Sequence, residues 1–308
     1  MQLSFVQSVS TTMVNASYAL IVGVLAAQQW LRWAGDGEHP EVRENLQAAT
    51  GTGLVAAAGA TLLSLWQASA TMADVPLLES GPSLWALFAS TYYGRFGLAL
   101  LTILIVGAVS HFGLRRRRQG VAYHAVILCL LVAFAICRVA TGHAAENDLV
   151  SVAAAVELAH VLSMALWFGS VMVAAWMVLP SVGSIAPPTR ITPYLASLSS
   201  WATGALAVVI ATGVYNTVRV LNQPAELIGS EYGWVLTIKL CFVGTAIVLG
   251  AWNRFIEFPA AFAVATDPDA AKNKLHRIMS ILRAESIALL VVVFAAAVLT
   301  ANAPPASR

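Results

Sequence analysis

The stretch Val156–Ser170, VELAHVLSMALWFGS, places a glutamate and a histidine three residues apart in a segment apolar enough to lie in lipid. The apolar run around it extends over roughly 149–180, and a helix needs about 20 residues to cross a bilayer. Seven more such runs lie at roughly 4–30, 50–72, 91–114, 121–141, 193–221, 232–256 and 278–301. The 308-residue chain is 59% hydrophobic and 10% charged, with a mean hydropathy of +0.77. A soluble domain carries about 25% charged residues. The reading is an all-α polytopic membrane protein, a bundle of eight transmembrane helices. Scarce Asn-Gly and Asp-Gly signals and the lack of dyad alternation argue against a lipid-facing barrel.

Basic residues set the expected orientation. Arg115, Arg116, Arg117 and Arg118 follow the third run and anchor that loop on the cytoplasmic side. The other inner connections then carry Arg32 and Arg43, Arg190, and Arg254, Lys272, Lys274 and Arg277. The outer ones carry Asp74, Glu79, Glu146, Asp148, Glu226 and Glu231. Both termini are therefore expected to be periplasmic, and the arginine run reads as a topology anchor rather than a nucleic-acid patch. The first run has no basic residue before Arg32, so it reads as a retained helix and not a cleaved signal. Cys129, Cys137 and Cys241 fall inside helices without a C-x-x-C pattern, which suits buried structural thiols.

The connections are too short for a soluble domain, so residues 1–308 read as a single membrane domain. Tyr93-Gly94 and Tyr232-Gly233 each open an outside-to-inside helix, which suggests two four-helix halves, 1–141 and 142–308. The longest inner connection is expected to turn at Asp267-Pro268-Asp269 and then form a short amphipathic interfacial helix or a plain connector.

Glu157, His160 and Met164 stand at i, i+3 and i+7, on one helix face that Met172 roughly continues. At about 1.5 Å per residue, Glu157 lies about 13 Å and His160 about 18 Å below the outer end of the fifth helix. Ionisable groups at such depth mark function by default, the plain alternative being a hydrogen bond that joins helices. His143, beside Glu146 and Asp148, stands at the outer end of the fourth helix. The short connection makes the fourth and fifth helices neighbours, with His143 above Glu157 and His160. Imidazole with thioether suits copper better than hard, oxygen-seeking cations. Glu285 reads as an interfacial partner of Arg283, and Lys239 as snorkelling or pairing with Glu157 or Glu231. Asn216 and Asn253-Arg254 read as satisfying backbone or loop groups. His111 and His124 read as interfacial.

Gly142-His143-Ala144, the spacing of Glu157, His160, Trp167 and Gly169, Thr212–Asn216 (TGVYN), Glu231-Tyr232-Gly233 with Lys239, Asn253-Arg254, and Leu282–Ser286 (LRAES) occur in that order. In this the chain resembles the copper resistance D (CopD) family of bacterial inner-membrane proteins, well over about 138–305 and by topology alone before that. The resemblance implies copper handling across the inner membrane, described as uptake from the periplasm, often with a small periplasmic CopC-like copper-binding partner. Carried over residue by residue, it makes His143, Glu157 and His160 the polar site. The family's Trp-x-Gly-Gly is here Trp167-Phe168-Gly169-Ser170, a change small enough for helix packing to survive. No fused copper-binding domain or Met- or His-rich tail is visible, so a chaperone is expected as a separate chain.

No G-x-x-x-x-G-K-S/T loop supports ATP-driven transport. The expected activity is copper-ion transport without catalysis, with the copper oxidation state open. A haem-binding electron carrier is the rival, drawn from the pairs His143 with His160 and His111 with His124. The first pair differs in expected depth by about 18 Å. A copper sensor or assembly protein is a further alternative.

Overall fold

The computed structural model describes residues 2–33, 40–113, 120–142, 150–182, 188–220, 231–264 and 268–301. Eight helices among them are long and apolar enough to cross a membrane: α1 (Gln2–Trp33), α2 (Pro40–Ala73), α3 (Tyr92–Gly113), α4 (Val121–Ala140), α5 (Val152–Val173), α6 (Pro188–Val220), α7 (Glu231–Trp252) and α8 (Pro268–Ala301). No strand occurs among the described residues. The chain is a multi-pass all-α membrane protein. Arg115–Arg118 and His143 with Glu146 and Asp148 lie outside the described residues.

Several helices outrun the apolar segments that mark them. α2 begins at Pro40, whose fixed φ suits a first helical turn. The expected interfacial helix after Asp267 is instead the first part of α8, which runs unbroken from Pro268 to Ala301. Pro268 stands at its first position and no further Pro or Gly follows before its end, so nothing interrupts the hydrogen-bond ladder. Between α2 and α3 stand a 3₁₀ turn, Leu77–Glu79, and a short helix, Ser83–Ser90. Trp66 Nε1 donates to the Leu77 carbonyl at 2.6 Å and Ser69 Oγ to that of Ser80 at 2.8 Å, which ties this connection back onto α2.

Two helices loosen into π turns, and each time a proline follows directly. α5 passes through Ala174–Val178 into a last turn, Leu179–Val182, and α7 through Asn253–Glu257 into Phe258–Ala263. Pro180 and Pro259 bring no N–H for the carbonyl four residues earlier. The preceding residues, Leu179 and Phe258, donate five residues back, to Ala174 and Asn253.

α1, α5 and α8 form the centre. α1 packs on α2, α5 and α8, while α6 lies against α5 and α7 against α8. The apolar windows of α5 and α8 are 56% and 50% buried, against 11% for α7, so the helices carrying Glu157, His160 and Glu285 are the most enclosed. The α1–α5 crossing is set by Gly23 and Gly169. A methyl group on Gly169 would overlap the Ala19 carbonyl, and one on Gly23 the Gly169 carbonyl. Only backbone fits there. Ser170 is fully enclosed and its hydroxyl donates to the Trp167 carbonyl at 3.1 Å. The outward surface is apolar, with Val109, Leu128, Val208 and Val248 exposed on it. Cys129 and Cys241, expected as buried thiols, are exposed on the same surface, whereas Cys137 is half-buried against the core.

Candidate functional site

α5 opens on Ser151, whose hydroxyl accepts from the Ala154 N–H at 3.1 Å and caps the helix. Glu157 and His160 follow within the next two turns, on the face that meets α6. Asn216 on α6 donates its Nδ2–H to Glu157 Oε2 at 2.7 Å. This side chain serves the site rather than the backbone or a loop, because its helix faces α5. Thr212, one turn earlier on α6, lies 2.8 Å from His160 Nδ1. Its own hydroxyl proton is directed to the Val208 carbonyl at 2.6 Å, so Thr212 Oγ1 accepts from His160 Nδ1–H. In the neutral ring this network leaves the Nε2 lone pair as the available ligand atom.

Lys239 reaches in from α7, and its charge interacts with both Glu157 and His160. Of the expected partners, Glu157 is the one whose charge acts on Lys239, while the Glu231 side chain lies outside the described ones. Arg138 is turned elsewhere: Nε donates to Asn15 Oδ1 at 3.4 Å and Nη1 to Thr141 Oγ1 at 3.3 Å. The arrangement is thus one carboxylate, one imidazole and one ammonium, framed by an amide and a hydroxyl. It can hold a cation in place of the ammonium charge. Met164 and Met172 pack against the hydrophobic core. Among the described residues, no three His, Cys, Asp or Glu side chains converge on a metal position. His143 lies outside the described residues, although α4, which leads to it, does touch α5.

Glu285 departs from expectation. It is 2% exposed, deep within α8, and accepts from Trp167 Nε1 at 3.0 Å. Arg283 is not its partner: that side chain donates to the Ala175 carbonyl at 3.4 Å and lies over the Trp176 ring. Two residues of separation put the pair on different faces of the helix. Arg254 donates to the Ser199 hydroxyl at 2.7 Å and to Thr203 Oγ1 at 3.0 Å, joining α7 to α6. Glu257 is buried and holds Arg277 at 2.8 Å and Lys274 at 3.7 Å, fastening α7 to α8.

His111 and His124 are committed to protein partners. His111, in the last turn of α3, is buried and bonds Tyr123 Oη at 2.6 Å. His124 donates from Nδ1 to the Gly120 carbonyl at 3.1 Å and accepts at Nε2 from Arg32 at 3.1 Å. With both its nitrogens occupied, His124 offers no axial position to haem.

The segment that supplies Thr212, Asn216, Lys239 and Glu285 has a recognisable kinship. Residues 193–299 match the family model of copper resistance protein D. The matched segment spans most of α6, all of α7 and nearly all of α8, and lies within the stretch whose motifs resemble that family. Glu157 and His160 stand before it, on the helix it packs against. The chain is also similar to the copper transport protein CutJ of Bacillus subtilis (strain 168), 24% identical over 173 residues. That alignment covers 56% of this chain and 30% of the relative, so the chain spans less than a third of the relative's length. No solved structure matches the chain.

Proposed function

We propose that the protein moves copper ions across the bacterial inner membrane, from periplasm to cytoplasm, with the ion as cargo and no catalytic step. The observation that carries this reading is the meeting of Glu157 and His160 on α5 with Asn216 and Thr212 on α6 and Lys239 on α7. The match to copper resistance protein D and the likeness to a copper transport protein support copper as the ion.

In this proposal His160 Nε2 and the Glu157 carboxylate are ligands, His143 receives the ion at the periplasmic mouth, and Met164 adds a soft thioether. Thr212 holds the imidazole in the ligating tautomer. Asn216 fixes the carboxylate. Lys239 balances Glu157 while the site is empty and yields to the arriving cation, so the site never stands with an unpaired charge. A membrane potential negative inside favours inward movement by about 2.3 kcal/mol per charge per 100 mV. A separate periplasmic CopC-like protein delivers the ion.

The test is copper accumulation by cells and copper stoichiometry of the purified protein. Wild type accumulates copper and binds it, whereas His143→Ala/His160→Ala loses the bound ion. Equal stoichiometry in both rejects the assignment. The visible absorption spectrum of the same sample, with no haem band expected, separates this reading from an electron carrier.

A further inference from the structure

The polar groups of α5 do not stop at His160. Glu157, His160, Met164 and Trp167 follow one another at i, i+3, i+7 and i+10, one continuous stripe along the helix. At about 1.5 Å per residue, Trp167 lies about 15 Å beyond Glu157. Its indole N–H ends the stripe on the Glu285 carboxyl. α7, packed on α8, carries the same spacing: the charge of Lys239 acts on Glu157, and Gly250, about 16 Å further on, is beside Glu285. A methyl group on Gly250 would stand 3.1 Å from Glu285 Oε1, so the glycine makes room for the carboxyl.

Among the described residues no compensating charge pairs with Glu285. α5 carries no ionisable side chain beyond His160. α7 carries only Cys241, exposed on the outer surface, between Lys239 and Arg254. α1 carries only Tyr18 before Arg32, and Tyr18 is bonded to the Leu131 carbonyl. On α8 itself, Arg283 is held by Ala175 and Trp176, and Arg277 by Glu257. Tyr194, Tyr215, Arg219 and, outside the described side chains, Arg190 are the ionisable groups of α6; none of the described ones bonds Glu285. No basic side chain among the described residues is in ion-pair contact with it. A carboxylate in that setting demands a positive occupant.

We propose that Glu285 is a proton-exchanging station on the inner half of the same path, which couples copper movement to a counter-moving proton. The inference rests on the transport reading for its cargo, but the exchange itself is a property of Glu285 and Trp167. With the path empty, the proton sits on the carboxyl oxygen and the indole N–H supports the other electron pair. As a cation comes down the stripe, the carboxyl O–H breaks, the proton leaves to water on the periplasmic side, and the carboxylate faces the cation. When the cation departs to the cytoplasm, a proton from cytoplasmic water re-forms the O–H. At Glu285 one positive charge replaces another when the cation is Cu(I), a Cu(II) ion would leave one net positive charge there, and no oxidant or reductant is required in either case.

The experiment is infrared difference spectroscopy of the whole protein in lipid nanodiscs, metal-free and then with copper. Metal-free wild type is expected to display a protonated-carboxyl C=O band that disappears in Glu285→Gln and shifts in Trp167→Phe, which removes the indole donor along with part of the ring. His160→Ala is expected to keep the band while losing bound copper. If copper binds nowhere, the transport reading falls while the metal-free band still decides the exchange. Absence of a C=O band assignable to Glu285, or a band unmoved by Trp167→Phe, overturns the proposal. In proteoliposomes with an internal pH dye, wild type is expected to move protons against copper, and the coupled signal is expected to vanish in Glu285→Gln. Proton movement per copper unchanged in that variant also overturns it.

Discussion

At the scale of single residues, the His160 nitrogen that keeps its lone pair is chosen by a neighbouring hydroxyl. Because Thr212 directs its own proton to Val208, it takes the His160 Nδ1–H and leaves the lone pair on Nε2. Thr212→Val keeps the shape and removes the acceptor; the expected outcome is a loss of about 10–100-fold in copper affinity with the fold intact, read by metal titration and thermal unfolding. Serine at the same position, which restores the hydroxyl, is expected to recover most of it. Glu157→Gln keeps the volume and the bond to Asn216 while removing the charge. It is expected to fold normally and lose most copper accumulation by cells. Full uptake with a lower unfolding temperature would instead make Glu157 a helix-joining group. His124→Ala leaves copper binding unchanged, since that ring belongs to Gly120 and Arg32. An intermediate loss in Met164→Leu points to Cu(I), for which a thioether is a suitable soft ligand.

At the scale of helices, the site depends on how α5 is held. α1 and α5 cross with backbone against backbone at Gly23 and Gly169, and no rotamer change opens room for a side chain there. Gly169→Ala is therefore expected to destabilise the bundle by about 1–3 kcal/mol, the range for overpacking a close contact. Gly204→Ala is the control, because nothing stands within 4 Å of the added methyl position. Unfolding midpoints in detergent compare the two, and equal midpoints would remove the crossing as the determinant. At the far end of α7, Glu257 gathers Trp252, Arg277 and Lys274 on one buried carboxylate. Glu257→Ala is expected to lower the midpoint more than Arg277→Ala. The first leaves the Trp252 N–H and Arg277 without their acceptor and Lys274 without its counter-charge, whereas Arg277 is 57% exposed and Arg277→Ala leaves the Trp252 bond in place.

For the whole molecule, the argument is one of orientation. From the alternation of basic and acidic connections we propose that the Arg115–Arg118 loop is cytoplasmic and both termini are periplasmic. Reporter fusions after Arg118 and after Arg308 are expected to report cytoplasm and periplasm respectively; a report of the same side for both rejects this topology. The orientation also gives the polar stripe its direction. Glu157 and His160 then lie toward the acidic periplasmic mouth, and Glu285 toward the cytoplasm.

Sequence alone determined the class, the eight spans and the candidate pair Glu157–His160, because lipid imposes a long apolar run and leaves every intramembrane charge conspicuous against it. It also carried the Trp167–Gly169 spacing and the LRAES stretch as family features. What it left open were partners across helices. Asn216, Thr212 and Lys239 are 59, 52 and 82 positions from Glu157, His160 and Glu157 respectively, distances along the chain that no local pattern spans. Glu285 beside Arg283 read as an ion pair because adjacency in sequence resembles adjacency in space. Helix rotation instead sends the arginine to Ala175 and Trp176 and the carboxylate to Trp167. Hydropathy likewise stopped α8 at its apolar boundary, although a helix is propagated by backbone hydrogen bonds and continues through charged turns. Which residues are ionisable and embedded is a one-dimensional property; which of them meet depends on helix azimuth and crossing, and only tertiary packing decides that.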